Sequence, residues 1–314
     1  VYDTAVQKVM GKPGLGETVR VVSYDGRFLA WAAYSHESTI RARCWSFIES
    51  ECIDKAWFEE KIIKALRARK RLFSRTSAVR VIFGEADQLP GLVVDQYGDW
   101  LVAQFQAAGV EAWKDVIAGI LMKQCDVQGI YERSDAATRH REGLSEIVGV
   151  LRGAEPPQEI EIVEDGVRYG VDVRHGHKTG FYIDQRENRL LAQRLAAQFK
   201  AQHGRGMRAL NCFCYTGGFS LALLAGGAEE VISVDSSADA LAMAQRNAER
   251  NGFGHDRAQW LQADVFDYLR QARDRGEEFD LVILDPPKFA SSHRHIDRAS
   301  RAYKDINLHG LRLV

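Results

Sequence analysis

The feature that most constrains the fold is a change of rhythm after residue 185. From there, short apolar runs alternate with helical stretches, and three of the four runs end in an acid. Arg208-Ala-Leu-Asn-Cys-Phe reads as a strand, followed by a glycine turn and the helical Phe219-Ser-Leu-Ala-Leu-Leu-Ala. Val231-Ile-Ser-Val-Asp235 is a second strand, and the helix after it, 238–250, closes on Asn251-Gly252 as a C-terminal cap. Ala258-Gln-Trp-Leu-Gln-Ala-Asp264 and Phe279-Asp-Leu-Val-Ile-Leu-Asp285 are the third and fourth strands. Parallel strands need long crossovers, and helices fill them, so repeated strand–helix units imply a doubly wound parallel sheet of the α/β class.

Such a sheet binds ligands outside the carboxyl ends of its strands, where the strand order reverses. The residues expected there are the glycine turn with Tyr215, Thr216, Gly217, Gly218 and Phe219, then Asp235, Asp264 and Asp285. Glycines let a ligand approach the backbone at the first position. Asp235 is placed to accept from both hydroxyls of a ribose, and Asp264 to accept from an adenine amino group. Asp285-Pro286-Pro287-Lys288-Phe289 is a rigid loop facing a substrate. Gly217-Gly218 does not match the dinucleotide fingerprint G-x-G-x-x-G, so a single nucleoside fits better than NAD.

The first 184 residues have a different texture. Residues 1–53 alternate in short strands, with Asp25-Gly26 as a hairpin turn and Arg41 and Arg43 on one face of a later strand, and a small basic β-barrel is expected. Residues 54–76 read as a helical linker and 77–184 as an α+β unit with a helix at about 110–123. A hairpin turns there at Asp165-Gly166. Residues 185–314 complete the division. Charge is segregated: residues 1–75 carry 14 Lys and Arg against 9 Asp and Glu, whereas 76–190 carry 12 against 19. The N-terminal part is therefore the one expected to meet a polyanion, either through Arg41 and Arg43 or through the basic run Lys64-Ala-Leu-Arg67-Ala-Arg69-Lys70-Arg71, which also reads as a solvated helix face.

Composition excludes several classes. No apolar run reaches the ~20 residues of a membrane helix, and without a recognisable leader pattern secretion is not expected. Five scattered cysteines speak against a disulfide framework and for a reducing cytoplasm. His175-Gly-His177, His293-Arg-His295 and Cys212-x-Cys214 lack partners at metal-ligand spacing, so no metal is expected.

Several long motifs occur in a fixed order. They are Gly16-Glu-Thr-Val-Arg-Val-Val, Gly84-Glu-Ala-Asp-Gln-Leu-Pro-Gly-Leu, His177-Lys-Thr-Gly-Phe-Tyr-Ile-Asp-Gln-Arg-Glu-Asn, Asn211-Cys-Phe-Cys-Tyr-Thr-Gly-Gly-Phe, Val234-Asp-Ser-Ser, Asp285-Pro-Pro-Lys-Phe and Tyr303-Lys-Asp-Ile-Asn307. On these, the chain resembles the bacterial 23S ribosomal RNA (cytosine-5)-methyltransferases, which combine a PUA domain, a central α+β domain and a Rossmann-like catalytic domain. The resemblance implies S-adenosyl-L-methionine as cofactor and 23S ribosomal RNA as partner. It places Tyr215, Thr216, Gly217, Gly218 and Phe219 around the methionine moiety, Asp235 at the ribose and Asp264 at the adenine edge, with Phe213, Ser236 and Val265 also binding the cofactor. Lys178, Thr179, Phe181, Gln185 and Arg186 would close over the cofactor, and residues 285–289 would line the pocket of a target base taken out of its stack.

Carbon 5 of cytosine is a poor nucleophile until a thiolate adds at carbon 6. No cysteine follows Cys214, and Cys212 and Cys214 sit in or beside the first strand, where packing or lining the cofactor site is the expected role. The chain opens on Val1 and ends at Val314 in a helical pattern, so it is read as truncated, with the nucleophile expected beyond Val314. Two alternatives remain open: methylation of an exocyclic amino group of guanine or adenine, which needs no cysteine, and a non-catalytic RNA-binding protein. The oligomeric state is also open, a homodimer included.

Overall fold

In a computed structural model, which describes residues 1–290 and 295–314, the N-terminal alternation forms three antiparallel strands in the order β1-β2-β3. They are β1 (Thr18–Val22), β2 (Phe28–Tyr34) and β3 (Ala42–Ser46). Helix α1 (Lys55–Arg69) follows, its first turn capped by Asp54, which accepts from the amide of Trp57 at 2.9 Å. A mixed five-stranded sheet comes next: β4 (Ala78–Phe83), β5 (Leu92–Tyr97), β6 (Trp100–Phe105), β7 (Gly129–Ser134) and β8 (Ile147–Gly153), in sequential order. Strands β6 and β7 run parallel, so the chain between them crosses over through α2 (Ala108–Ala112) and α3 (Lys114–Gln124). The single helix expected at 110–123 is thus broken at Trp113.

The chain divides into two units, one of residues 1–162 and 171–183 and the other of 163–170 and 184–314. The PUA-like segment and the central segment, expected as separate domains, therefore share one unit. The reason is a common core. Ala33 of β2 and Trp45 of β3 are buried with Trp57, Phe58 and Ile62 of α1 and with Val79, Leu92 and Leu101 of the five-stranded sheet. Trp45 meets Phe58 edge-on at 5.4 Å, and a Cβ on Gly109 would lie 2.4 Å from that of Ala33. Strands β9 (Ile160–Glu164) and β10 (Val167–Val171) form a two-stranded sheet whose turn, 163–170, belongs to the second unit.

The second unit continues with α4 (Arg186–His203), which ends on Gly204 in the left-handed conformation. Then come β11 (Arg208–Cys212), α5 (Gly218–Ala225), β12 (Glu230–Asp235), α6 (Ala238–Arg250), β13 (Ala258–Gln262), α7 (Val265–Asp274), β14 (Leu281–Leu284) and α8 (Ile296–Leu311). The strands are parallel in the order β13-β12-β11-β14. The chain moves outward from β11 to β13, then returns to the other side of β11, so the order reverses between β11 and β14. Leu210, Ile232, Val234, Val265 and Leu269 fill the core beside it. No helix among the described residues is long and apolar enough to cross a membrane.

Candidate functional site

The reversal point puts the ends of β11, β12 and β14 side by side, and the residues there are held in unusual conformations. Between β11 and α5 the backbone is left-handed at Phe213 (φ 59°), Tyr215 (φ 49°) and Gly217 (φ 82°). Left-handed non-glycine residues cost on the order of 1–2 kcal/mol each, and such outliers concentrate at functional sites. The amide of Cys214 donates to the carbonyl of Val234 at 3.1 Å and that of Gly217 to Cys214 at 2.9 Å. The amide of Tyr215 donates to Asp235 Oδ2 at 2.9 Å.

The other oxygen of Asp235 accepts from the amide of Ser237 at 2.9 Å. Two backbone amides thus fix the carboxylate plane, and each oxygen keeps a lone pair for an outside donor. A half-buried, oriented carboxylate at a strand end suits the two hydroxyls of a ribose. Ser236 beside it is exposed. Asp264 caps α7, with Oδ1 accepting from the amide of Asp267 at 3.1 Å. That leaves Oδ2 and the amides of Val265 and Phe266, which have no intrahelical acceptor, to meet an outside partner. The Val265 side chain is buried in the core, so at this position only the backbone is on offer.

The two glycines have a different physical reason from ligand approach alone. A Cβ on Gly217 would stand 2.7 Å from the ring of Trp260 and 3.1 Å from Ala244, and one on Gly218 would stand 3.1 Å from Arg189 Cδ. The turn is packed tightly from behind by β13, α6 and α4.

Beyond β14, Asp285 accepts from Gln185 Nε2 at 3.2 Å, and Gln185 Oε1 accepts from Asn188 at 2.6 Å. Pro286 and Pro287 stiffen the chain, Lys288 is exposed, and the Phe289 ring packs 5.7 Å from Phe266 and 4.7 Å from Tyr303, with Phe213 at 6.3 Å. This aromatic wall draws on four elements. Sequence reasoning found Phe213 and Phe289 but missed Phe266 and Tyr303 as site residues; the signals were an aromatic directly after Asp264-Val265 and another in the Tyr303 motif. Phe219 lies in a cavity of about 280 Å³ with Gln185, Asn188, Ile283 and Asp285. Arg186 is largely buried, its Nη1 without a hydrogen-bond partner.

The remaining expected site residues belong to the first unit. Thr179 is fully buried in the first unit, its hydroxyl shared between Asp95 and the Tyr97 hydroxyl. Asp95 is itself fully buried and also paired with Arg80 at 2.8 Å, so a donor at Thr179 is a structural need. Phe181 is buried there too, while Lys178 lies with its ammonium 4.3 Å over the Tyr182 ring. Arg43 is paired with Glu142 at 2.9 Å, and Arg41 donates to the carbonyls of Ser35 and His36. Both guanidiniums, expected on an RNA-binding face, have acceptors within the unit. Among the basic run, Arg69 is held by Asp87, whereas Lys64, Arg67, Lys70 and Arg71 are exposed.

Cys212 at the end of β11 and Cys214 beyond it are both buried. Burial pushes the Cys212 thiol up to about 12, and burial with the Asp235 charge pushes Cys214 well above its ordinary range. Among the described residues no group of three His, Cys, Asp or Glu side chains is placed to hold a metal ion. His293 and Arg294 lie outside the described residues.

The donor set fits a nucleoside bearing a charged amino-acid arm. Asp235 and Asp264 offer acceptors suited to a sugar and a base, and Asn211 Oδ1, buried next to the end of β11 without a hydrogen-bond partner, is a spare acceptor. A parallel sheet of this order with these residues defines a class I S-adenosylmethionine-dependent methyltransferase. Residues 133–306 match the family described as S-adenosylmethionine-dependent methyltransferase, and residues 1–47 match the PUA-like domain. The chain is 44% identical over 317 residues to the ribosomal RNA large subunit methyltransferase I of Tolumonas auensis and 46% identical over 318 residues to that of Vibrio parahaemolyticus. Each alignment covers all of this chain and 78% of the relative. Among solved structures, SMU.776, a methyltransferase complexed with SAH, superposes with a TM-score of 0.79 at 26% identity, covering 96% of this chain and 75% of that one. The chain belongs to the ribosomal RNA large subunit methyltransferase I family.

Proposed function

We propose that this protein methylates carbon 5 of a cytosine in 23S ribosomal RNA. The observation that carries the reading is identity of 44–46% over the whole chain, PUA-like and methyltransferase parts together, to proteins named ribosomal RNA large subunit methyltransferase I. The choice of cytosine carbon 5 rests on the motif resemblance set out above.

S-adenosylmethionine supplies an electrophilic methyl group on a sulfonium. In this reading the 213–219 turn and Asn211 hold its amino-acid arm, Asp235 orients the ribose, and Asp264 with the Val265 amide reads the adenine edge. Gln185 and Asp285 border the reaction side, and the Phe289 wall receives the target base. At carbon 6 a thiolate adds, carbon 5 takes the methyl, a base removes the carbon 5 proton, and the thiolate leaves. Neither Cys212 nor Cys214 can serve, being buried and protonated. The thiolate is therefore sought in the part of the full-length protein outside residues 1–314. RNA phosphates are met by the exposed Lys64, Arg67, Lys70 and Arg71 in place of Arg41 and Arg43. Scattered free cysteines and an RNA substrate suit a cytoplasmic setting.

One observation favours a second reading, methylation of an exocyclic amino group: neither thiol of the catalytic sheet is available, and Asp285-Pro-Pro followed by the Phe289 wall also suits an amino-bearing base. The test is transfer of labelled methyl from S-adenosylmethionine by the full-length protein to large-subunit ribosomal RNA, protein-free and assembled, followed by separation of nucleosides. Label in 5-methylcytidine supports the proposal, and label in an N-methylated purine supports the second reading. Cofactor binding without transfer to either RNA defeats both.

A further inference from the structure

The left-handed turn that shapes the cofactor site has carbonyls at Thr216 and Gly218, and both are tied to one short segment, the tip of the β9–β10 hairpin. Strand β10 is an edge strand, and its outward backbone groups would be left unpaired without a partner. Two asparagines one turn apart, Asn247 in α6 and Asn251 at its C-cap, supply it. Asn251 Oδ1 accepts from the amide of Arg168 at 2.9 Å, and its Nδ2 donates to the Arg168 carbonyl at 2.7 Å. Asn247 Oδ1 accepts from the amide of Gly170 at 2.7 Å and from Arg250 Nη1 at 2.8 Å.

Asn247 alone reaches further. It is fully buried, and its Nδ2 donates to the Thr216 carbonyl at 3.3 Å. Its amide cannot flip, because flipping would put two N–H donors against those of Gly170 and Arg250. Its orientation is therefore set by the strand edge and delivered to the turn. Two neighbours act in the same direction: the Tyr169 hydroxyl donates to the Gly218 carbonyl at 3.3 Å, and Arg189, paired with Glu164 at 2.7 Å, fills the space behind Gly218. Fixing a peptide's carbonyl fixes the direction of the amide that shares its plane, and these are the amides of Gly217 and Phe219.

We propose that Asn247 is a positioning residue for the cofactor, holding the 213–219 turn in its left-handed form from the β10 edge, with Tyr169 as its second anchor. The proposal rests on the reading of that turn as part of the S-adenosylmethionine site. It is tested in the full-length protein with Asn247→Asp, which keeps an acceptor for Gly170 and Arg250 and sets an oxygen against the Thr216 carbonyl. Asn251→Ser is the control, loosening the same strand edge without touching the turn.

Calorimetry with S-adenosylhomocysteine and steady-state methylation are the readouts. Asn247→Asp is expected to raise Kd and the KM for S-adenosylmethionine by about fivefold to tenfold, the scale of one lost hydrogen bond, with kcat and the KM for RNA changed less than about twofold. Tyr169→Phe shifts Kd in the same direction. Asn251→Ser lowers the thermal midpoint and leaves Kd unchanged. Unchanged Kd in Asn247→Asp, or losses of affinity that follow the loss of thermal stability equally in both asparagine variants, overturn the proposal while leaving the site intact. An unmutated protein that binds no S-adenosylhomocysteine overturns both.

Discussion

Gly217 separates two accounts of why a glycine stands in the turn between β11 and α5. If its role were only to let a ligand approach, Gly217→Ala would weaken binding and leave the fold alone. The structure gives a different expectation. The backbone there has a φ of 82°, and an added Cβ would lie 2.7 Å and 3.0 Å from two ring carbons of Trp260 and 3.1 Å from Ala244. The left-handed conformation costs alanine about 1 kcal/mol. Forcing a methyl against a packed indole costs about 1–3 kcal/mol more. Gly217→Ala is therefore expected to lower the unfolding free energy by about 2–4 kcal/mol, a large part of a typical domain's stability. Urea unfolding of the full-length protein measures it. Made in a Trp260→Leu background, the same substitution should cost only the backbone share of about 1 kcal/mol, the difference being the coupling of the pair. An equal cost in both backgrounds, or lost affinity with unchanged stability, refutes the packing explanation.

Further outcomes follow from the same geometry. Asp235→Ala removes an acceptor for two backbone amides and, in the proposed site, for the ribose, and should weaken S-adenosylhomocysteine binding by about 150-fold or more in calorimetry, from about 3 kcal/mol or more for two charge-assisted hydrogen bonds. Iodoacetamide at pH 8 should alkylate the exposed Cys52 and spare Cys212 and Cys214. Because the folded Cys212 thiol titrates near 12 against 9.0 in the open chain, its contribution to stability is intact below about pH 9 and is lost as the pH rises towards 12. Cys212→Ala should therefore flatten the alkaline limb of the stability profile. Arg43→Ala should lower the thermal midpoint and leave RNA affinity within about twofold. Glu at Lys64, Arg67, Lys70 and Arg71 should instead weaken binding and reduce its salt slope by about one for each phosphate no longer neutralised.

The parallel sheet was legible because its central strands β11 and β12 are buried on both faces, so apolar runs and terminal acids stand out against the helices. Strand β8 was not: Ile147, Val148 and Val150 are exposed on an edge, and Gly149 and Gly153 blur the pattern. Helix α4 was missed because its buried face is made of Arg189, Ala192 and Ala196, while Leu191 and Leu195 are exposed, so no apolar stripe marks it. At the site, Asp235 and Asp264 announce themselves by ending or following strands. The roles of Arg43 and Thr179 depend on partners 99 and 84 residues away, and Trp260 stands 43 residues beyond the glycine it constrains. Local spacing carries none of these pairings.

The most direct test of the central claim is mass spectrometry of nucleosides from large-subunit ribosomal RNA of cells with and without the intact gene. The account predicts one 5-methylcytidine that disappears on deletion, returns with the unmutated gene, and returns weakly or not at all with Asp235→Ala. An unchanged nucleoside profile, or loss of a modification other than a methylated cytosine, contradicts it.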